Sequence, residues 1–218
     1  MFQTDGWWFP DGEAHLPGWM ANPKVRMILN GRAAYQGAKQ VYAMGLCKQF
    51  RTAVDVGAHV GLWSFNLCHR FNSVEAFEPV QAHRDCWIKN MVDAPEGPFF
   101  LHECALGDHE AMINIRTEPT SSGDSRVDGP GDIPMKTLDS FQLEDVDLLK
   151  LDTEGHELFV LRGAEETIDR CRPVIVVEQK PGHGKHFGIG DTDAIPYLEG
   201  LGYKVVKIMS GDYLMVPA

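Results

Sequence analysis

Apolar residues along the chain follow two alternating patterns, short continuous runs and longer stretches at helical spacing. Five short runs are each typical of a buried strand, at residues 53–56, 73–77, 98–103, 147–151 and 173–178. Stretches with apolar residues on one helical face predict helices at residues 34–50, 62–71, 81–92 and 157–170. Strands that alternate with helices of this length indicate βαβ units and a parallel sheet.

The end of the chain predicts a helix followed by a hairpin. Asp191 or Thr192 can cap a helix that runs to about Leu201, and Gly202 can end it. Residues 203–209 and 212–216 then flank a two-residue turn, which is the spacing of a β-hairpin. The hairpin would add an antiparallel strand to an otherwise parallel sheet.

Two segments depart from this alternation. Residues 1–33 mix tryptophans and prolines without a helical or strand period, which predicts an ordered arm or lid beside a domain at residues 34–218. Within that domain, Ile113 and Ile115 alternate with polar residues and are followed by many turn formers. Residues 112–134 are therefore expected to form a hairpin-like insertion with a mobile tip.

Composition restricts the class of partner more than the class of fold. The 218 residues include 20 basic and 31 acidic ones, and the net charge of −11 makes nucleic acid an unlikely partner. We expect a soluble, cytoplasmic protein with no membrane partner, because there is no long apolar run and no signal-peptide pattern. Five scattered cysteines indicate reduced thiols rather than disulfides or a structural zinc. The pattern does not define an oligomeric state.

The first candidate ligand site follows the strand at residues 53–56, where the chain reads Asp55, Gly57, His59 and Gly61 at alternate positions. The two glycines allow the backbone to approach a ligand closely, and the following helix begins with unpaired N–H groups. This spacing differs from the GxGxxG pattern of a dinucleotide site, so a pyrophosphate is poorly supported. Asp55 indicates instead a ligand with a cationic group at this end.

Acidic residues end two further strands. Glu78 lies 17 positions after Gly61, close to the offset at which an acid on the second strand reaches the hydroxyl pair of a ribose. Asp152 and Glu154 follow the strand at residues 147–151, where open α/β sheets bind their ligands. Two acids at such a strand end suit orientation of a reactant or binding of a metal. Glu154 fits equally well as an acid at a helix N-terminus.

Several strings together carry a family resemblance: VDVGAHVG, EAFEP, CALGD, DLLKLDTEGHELFVLRGA, RPVIVVE and DYLMVP. Over about residues 35–217 the chain resembles the FkbM family of S-adenosylmethionine-dependent methyltransferases. The resemblance implies an α/β, Rossmann-like class I methyltransferase fold with three layers. Its mostly parallel seven-stranded sheet would have the order 3-2-1-4-5-7-6 and an antiparallel last strand, in agreement with the terminal hairpin.

The resemblance also implies roles for individual residues, with S-adenosyl-L-methionine as the cofactor. The residues that would line its methionine end are Asp55, Gly57, His59 and Gly61. Glu78 would hold the ribose, and Cys104 and Ala105 would lie beside the adenine. Asp152 would lie where cofactor and acceptor meet. His59 departs from the family, which more often has asparagine there, and could narrow or polarise the entrance or be a neutral substitution.

The expected reaction is O-methylation of a hydroxyl on a sugar or another small polar metabolite. Such a hydroxyl loses a proton, and the candidate bases are Asp152, Glu178, His183 and His186. We expect Asp152 to be catalytic because of its position, and His183 to be the second candidate. Asp152, Glu154 and Glu178 carry oxygens suited to Mg²⁺, but the sequence does not indicate that they converge, so no metal is expected.

Three other functions compete with this one. A ribose 2′-O-methyltransferase acting on RNA would use Asp152 and Lys180, but its full set needs a second lysine and a late glutamate, which the sequence does not identify. A non-catalytic module that binds S-adenosylmethionine or a nucleoside would need the same cofactor residues. A nicotinamide oxidoreductase is the least supported, because the glycine spacing is wrong for it.

Overall fold

A seven-stranded sheet forms the centre of the computed structural model, which describes residues 1–118 and 120–218. The strands are β1 (Phe2–Thr4), β2 (Trp7–Phe9), β3 (Ile28–Leu29), β4 (Arg32–Ala33), β5 (Thr52–Val56), β6 (Ser73–Phe77), β7 (Phe99–His102), β8 (Ala105–Leu106), β9 (Ala111–Arg116), β10 (Arg126–Pro130), β11 (Ile133–Lys136), β12 (Val146–Leu151), β13 (Val174–Glu178), β14 (Tyr203–Met209) and β15 (Asp212–Pro217). The helices are α1 (His15–Ala21), α2 (Gly37–Leu46), α3 (Ser64–Cys68), α4 (Gln81–Asn90), α5 (Glu157–Arg162), α6 (Glu165–Cys171) and α7 (Ala194–Gly200).

The central sheet has the strand order β14-β15-β13-β12-β5-β6-β7. Strand β15 is antiparallel to both of its neighbours, β13 and β14, whereas β13, β12, β5, β6 and β7 pair in parallel. Counted along the chain, the seven strands therefore have the order 3-2-1-4-5-7-6. This confirms the predicted α/β fold, including the antiparallel last strand.

The central strands are almost wholly apolar because helices cover both faces of the sheet. On one face, Val54, Leu149 and Ile175 belong to a core cluster that also includes residues of α5, α6 and α7. On the other face, Ala53 and Leu148 pack in a cluster with residues of α2 and α3. The sheet thus lies between two helical layers, and its parallel strands direct their carboxyl ends to one common edge.

The single helix predicted at residues 157–170 is wrong, because the structure has two helices, α5 and α6, with a break at Gly163. A Cβ at Gly163 would lie 2.0 Å from the carbonyl oxygen of Gly107, so this close approach requires glycine, and the next residue, Ala164, leaves the helical conformation with φ −126° and ψ 9°. The Asp139 carboxylate accepts the N–H groups of Glu166 at 3.1 Å and Thr167 at 2.8 Å and so caps α6. This cap comes from a distant segment, so local periodicity does not reveal it.

The helical spacing of the apolar residues Ala34, Ala38 and Val41 predicts a buried face for α2, and this prediction is wrong in part. Val41 is 48% exposed, whereas Lys39 and Gln40 are buried. The ammonium of Lys39 pairs with the Asp212 carboxylate, and Gln40 Nε2 donates to Tyr35 O at 2.7 Å. These partners offset the cost of burying the Lys39 ammonium and Gln40 Nε2, whereas Gln40 Oε1 is buried without a hydrogen-bond partner among the described residues.

The last helix, α7, begins later than predicted. Asp193, rather than Asp191 or Thr192, precedes its first residue. Asp191 instead accepts a hydrogen bond from Gly182 N at 2.7 Å, so its side chain holds the preceding loop. The hairpin of β14 and β15 follows as predicted, with Ser210 and Gly211 both at positive φ in its turn.

Residues 1–33 contain regular elements that were not predicted, because the sequence of this segment shows no long helical or strand period. Strands β1 and β2 form one hairpin, and β3 and β4 form another. Their turns, Asp5-Gly6 and Asn30-Gly31, have positive φ at both residues, which is typical of two-residue hairpin loops. The segment packs on α3 and α4 through Trp7, whose ring meets Phe65 at a centroid distance of 5.4 Å.

The insertion at residues 112–134 joins a second sheet. Strands β9, β10 and β11 combine with β8 in the order β10-β9-β11-β8. Pro119 lies within the predicted insertion and outside the described residues. All five cysteines are free thiols, as expected. No helix among the described residues is long and apolar enough to cross a membrane.

Candidate active site

The loop after β5 brings two glycines to the carboxyl edge of the sheet. Gly57 and Gly61 have φ values of 72° and 90°, a region that favours glycine. A Cβ at Gly57 would lie 1.9 Å from the Asp152 carbonyl oxygen, and a Cβ at Gly61 would lie 2.9 Å from Trp87 Cδ1. Both glycines are therefore required by close contact as well as by conformation. His59, between them, has φ 51°.

Asp55 lies behind this loop rather than at its surface. Its buried carboxylate accepts the Ser64 hydroxyl at 2.6 Å and pairs with Lys150 Nζ at 3.0 Å. Lys150 in turn donates to Gly57 O at 2.8 Å. Burial lowers the pKa of Lys150, but the carboxylates of Asp55 and Asp152 more than compensate and raise it. The structure thus places Asp55 where it supports the glycine loop through a buried cation.

Glu78 ends β6 with both carboxylate oxygens hydrogen-bonded. Oε2 accepts His59 N at 2.8 Å, and Oε1 accepts Val80 N at 2.9 Å. His83 Nδ1 lies 3.1 Å from the same Oε1 atom. These contacts fix the carboxylate beside the glycine loop, and Oε2, which accepts one N–H group, keeps a lone pair for a further donor.

A cleft of about 570 Å³ runs along the carboxyl ends of β5, β6 and β12. We call it the main cleft. The predicted site residues that line it are Gly57, His59, Glu78, Cys104, Ala105 and Asp152. Asp55, Gly61 and His183 do not line it, although Gly61 shapes the loop that does. The insertion forms the opposite wall with residues such as Ser122 and Arg126.

Three segments that are distant in sequence meet at His59. Its Nε2 atom lies 2.8 Å from Ser122 Oγ, and Glu13 accepts the Ser122 backbone N–H at 2.6 Å. Burial, with smaller contributions from His83 and Lys150, holds the pKa of His59 well below its usual range. A neutral imidazole therefore connects the glycine loop to the insertion and to the N-terminal segment.

Asp152 lies at the junction of two spaces. It lines the main cleft and also a neighbouring cavity of about 560 Å³, the mouth cavity, together with Tyr35, Lys150 and Lys180. Burial raises the pKa of Asp152, but the ammonium groups of Lys150 and Lys180 outweigh it and lower the pKa. Asp152 is therefore an ionised carboxylate held between the two spaces.

Two further acids converge on Asp152. One oxygen each of Asp152, Glu154 and Glu178 lie within 4.8 Å of one another, a convergence that the sequence did not predict. Burial and then the Asp152 charge raise the pKa of Glu178 to about 10, so that Glu178 carries the proton and Asp152 the charge. The three carboxyl groups could in principle hold a divalent cation. Lys180 Nζ already lies 3.1 Å from Glu154 and 3.0 Å from Glu178, so an ammonium neutralises this cluster.

His183 lies on the far side of Glu154. Its Nδ1 atom is 2.8 Å from Glu154 Oε2, and its ring lines a separate surface pocket with His186. The hydrogen bond to Glu154 is the largest influence on His183 and raises its pKa, although burial opposes it. His183 thus contacts the acid cluster through Glu154 and not through Asp152.

Sequence reasoning missed two residues of this site, Tyr35 and Lys39. Tyr35 lines the mouth cavity, and burial followed by the Asp152 charge raises its pKa. Lys39 is buried on α2, where burial lowers its pKa to about 8 although Asp152 and Glu178 oppose this. Lys39 lies off the face that the apolar spacing of the helix predicts to be buried, so no local sequence signal indicated it.

The sequence matches the Methyltransferase FkbM domain over residues 55–205. The chain therefore belongs to the FkbM methyltransferase family, whose cofactor is S-adenosyl-L-methionine. It is 29% identical over 129 residues to the hexuronic acid methyltransferase AglP of Haloferax volcanii, covering 56% of this chain and 53% of that protein. The chain spans about half the length of the curated relatives that it matches.

Solved structures share the fold. A methyltransferase FkbM from Methylobacillus flagellatus KT matches with a TM-score of 0.52 and 19% identity, over 78% of this chain and 44% of that one. A protein from Streptococcus mutans, described as a putative methyltransferase in complex with SAH, matches with a TM-score of 0.51 and 10% identity, over 82% and 94%. These likenesses show the methyltransferase fold.

The main cleft has the features that this cofactor requires. Gly57 and His59 of the glycine loop line it, and Glu78 presents carboxylate oxygens to it. The buried ring of His156 also lines it, and His156 Nδ1 has no hydrogen-bond partner among the described residues. The residues present therefore fit a ligand with hydroxyl groups and a polar ring system.

Proposed function

We propose that the protein is an S-adenosylmethionine-dependent methyltransferase that O-methylates a hydroxyl of a sugar or another small polar metabolite. The observation that carries the proposal is the position of Asp152, an ionised carboxylate shared by the main cleft and the mouth cavity. A base at such a junction can reach a hydroxyl that faces the cofactor. Similarity to a relative named hexuronic acid methyltransferase supports a sugar as the acceptor.

The proposed cofactor contacts divide into direct and indirect ones. Residues that line the main cleft and would touch the cofactor are Gly57, His59, Glu78, Cys104 and Ala105. We assign the ribose hydroxyls to Glu78 and the adenine to Cys104 and Ala105. Asp55 and Gly61 would act from behind, since Asp55 holds Lys150 and Gly61 shapes the loop.

The proposed reaction needs orientation and one proton transfer from this chain. The cofactor supplies an electrophilic methyl group on a sulfonium. Asp152 would orient the acceptor hydroxyl toward that methyl group and accept its proton, so that the products would be a methyl ether, S-adenosylhomocysteine and a protonated Asp152. The ammonium of Lys180, whose pKa burial lowers but Asp152 and Glu178 raise overall, stabilises the negative charge that develops on the oxygen.

His183 stays a proposed second catalytic group. It would act through Glu154, whose carboxylate lies between His183 and Lys180 in the chain of contacts. A proton on Asp152 could then reach the surface by way of this acid and imidazole. Replacement of His183 by glutamine would slow turnover less than replacement of Asp152.

Methylation of RNA ribose is a second candidate, favoured by one observation. The second lysine and the late acid that were not identified in the sequence have counterparts, because Lys39 and Asp212 form a buried pair beside Glu178 and Lys180. The late acid is an aspartate rather than a glutamate. The net charge of −11 still disfavours a polyanion. A labelled RNA oligonucleotide belongs among the acceptors tested.

The experiment is transfer of labelled methyl from S-adenosylmethionine to a panel of sugars, sugar acids and RNA, by the wild type and by Asp152→Asn. We expect the variant to lose about 10²-fold or more in turnover, the typical contribution of a general base. It should bind S-adenosylhomocysteine nearly as well as the wild type. Equal turnover by Asp152→Asn would refute the proposed role. Absence of transfer to every acceptor, with cofactor binding intact, would favour the binding-module alternative.

A further inference from the structure

A third cavity, of about 1050 Å³ including its space open to solvent, lies beside the acid cluster. We call it the lysine cavity. The N-terminal segment forms one wall with Trp19, Lys24 and Arg26, and the opposite wall includes Lys39 and Lys180. The cavity lies at the carboxyl edge of the sheet, next to the end of β13, which is where α/β folds bind their substrates.

Cations dominate the lining of the lysine cavity. Lys24, Arg26, Lys39 and Lys180 line it, and Glu178 is the single acid that lines it among the described residues. Glu178 lies 3.0 Å from Lys180 Nζ, so one acid faces four cations in this lining. A chain with a net charge of −11 thus has a local excess of positive charge at this cavity.

The four cations differ in how far other residues neutralise them. Asp212 pairs with Lys39, and Glu154 lies 3.1 Å from Lys180. Arg26 Nη1 lies 3.4 Å from Asp5 in an exposed ion pair and also donates to Met20 O at 3.5 Å. Lys24 has no ion pair among the described residues. Lys24 and Arg26 are therefore the two cations with charge available to a ligand.

The start of α2 adds to this charge. Gln36, Gly37 and Ala38 line the cavity, and the first turn of this ten-residue helix contains no acid. The first N–H groups of a helix lack partners within the helix, and they carry partial positive charge. The helix end and the two available cations therefore face the same space.

Two aromatic rings give the cavity an apolar wall. Trp19 and Tyr35 both line it, with ring centroids 4.9 Å apart and planes at 65°. Rings of this kind present broad apolar faces together with a polar group. Such faces suit the C–H surface of a sugar ring, while the cations suit an anionic substituent.

The lysine cavity is continuous with the catalytic end of the site. Tyr35 and Lys180 line both the lysine cavity and the mouth cavity that contains Asp152. We propose that the methyl acceptor is a sugar carrying a carboxylate or a phosphate, which Lys24 and Arg26 anchor in the lysine cavity while a hydroxyl reaches Asp152. The inference rests on the proposed function, because it specifies the acceptor of that reaction.

The test compares ligands that differ in the anionic group alone. The probes are p-nitrophenyl β-D-glucuronide, p-nitrophenyl β-D-glucoside and the 6-phosphate of that glucoside, titrated by calorimetry into protein saturated with S-adenosylhomocysteine. We expect at least one anionic probe to bind about 10-fold more tightly than the glucoside, a preference that falls as ionic strength rises. The carboxylate and phosphate arms show which anion the cavity prefers.

A variant pair assigns the preference to the cavity. In the double variant Lys24→Gln and Arg26→Gln, the anionic preference should fall to about 2-fold or less, because both available charges are removed. The matched control is the double variant Lys204→Gln and Lys207→Gln, which makes the same kind of change at two exposed residues of β14. The control should keep the wild-type preference.

The outcomes of binding and of methyl transfer distinguish an error in the proposed anion site from an error in the proposed reaction. Equal binding of anionic and neutral probes, no binding of any probe, or a preference that survives Lys24→Gln and Arg26→Gln would overturn the inference. Methyl transfer to neutral and anionic sugars alike would uphold O-methylation and contradict the anion site. Selective binding of an anionic probe without transfer to any hydroxyl would uphold the anion site and contradict O-methylation.

Discussion

The carbonyl oxygen of Asp152 occupies the position next to Gly57 that a side chain would need, since a Cβ there would lie 1.9 Å from it. Asp152 N also donates to Val56 O at 3.2 Å, and Lys150 donates to Gly57 O at 2.8 Å. The loops after β5 and β12 are thus bound to each other. The proposed cofactor loop and the proposed catalytic carboxylate therefore form one rigid unit.

Replacement of Gly57 by alanine should separate these loops. We expect Gly57→Ala to lose cofactor binding and about 2–5 kcal/mol of unfolding free energy, because a left-handed conformation and a backbone clash add together. Gly182→Ala is the matched control, since Gly182 has φ 92° but nothing within 4 Å of its Cβ position. The control should lose about 1 kcal/mol and keep binding. Urea unfolding measures the unfolding free energy, and calorimetry measures cofactor binding. Equal losses in Gly57→Ala and Gly182→Ala would contradict the contact with Asp152.

The buried pair of Asp55 and Lys150 should be essential for stability. Replacement of Lys150 by methionine leaves the Asp55 carboxylate buried without its cation, and removal of one partner of such a pair typically costs about 3–5 kcal/mol. The double variant Lys150→Met and Asp55→Asn should be less destabilised than the sum of the single variants, because it leaves no buried charge. Urea unfolding of the four proteins gives the coupling. Additive losses would show that the pair does not act as a unit.

Glu157 should make stability depend on pH. Its Oε1 atom accepts the N–H groups of Thr153 at 2.8 Å and Gly155 at 3.1 Å, yet burial outweighs these bonds and raises its pKa to about 7. An acid with a raised pKa stabilises the fold when protonated, so this stability is present at low pH and is lost as pH rises to about 7. Glutamine does not titrate.

The comparison of Glu157→Gln with the wild type isolates this effect. Between about pH 5.5 and about pH 8.5, the wild type should lose about 2 kcal/mol relative to the variant. Unfolding free energies in urea at the two pH values give the difference, and other titrating groups cancel. Parallel pH profiles of the two proteins would contradict the raised pKa of Glu157.

His59 should tolerate the family's asparagine. Asparagine adopts positive φ more readily than most residues, so His59→Asn should change the unfolding free energy by about 1 kcal/mol or less. Valine is branched at Cβ, and His59→Val should lose clearly more unfolding free energy.

Because burial holds the pKa of His59 far below its usual range, cofactor affinity should not change with protonation of His59 between about pH 6 and about pH 9. A change in cofactor affinity over this pH range that occurs in the wild type and is absent in His59→Asn would contradict this prediction.

The sequence was sufficient for the central sheet and for much of the main cleft. Apolar runs located the strands, and the carboxyl ends of parallel strands share one edge, so Glu78 and Asp152 could be placed near the glycine loop. The two hairpin turns of residues 1–33, Asp5-Gly6 and Asn30-Gly31, were also readable signals, but the lack of a long period concealed them.

The rest depends on contacts between distant segments. The cap that Asp139 provides to α6 and the bond of Ser122 to His59 join parts of the chain that no local pattern relates. Lys39 is buried because α2 directs this side chain toward Asp212. The helical period indicates which apolar face is buried, and it does not indicate that a lysine beside that face finds a buried partner. The lysine cavity likewise arises where the N-terminal segment meets the end of β13.

The most direct test of the account is calorimetric titration of the purified protein with S-adenosylmethionine and S-adenosylhomocysteine, with NAD as the control ligand. We predict binding of the first two at micromolar concentrations and none of NAD, because the glycine loop and Glu78 line the cleft proposed to bind the nucleoside, and the loop lacks the GxGxxG spacing of a pyrophosphate site. Gly57→Ala should abolish the signal. Binding of NAD in place of the two sulfur ligands, or no binding of either one with or without an acceptor sugar, would contradict the account.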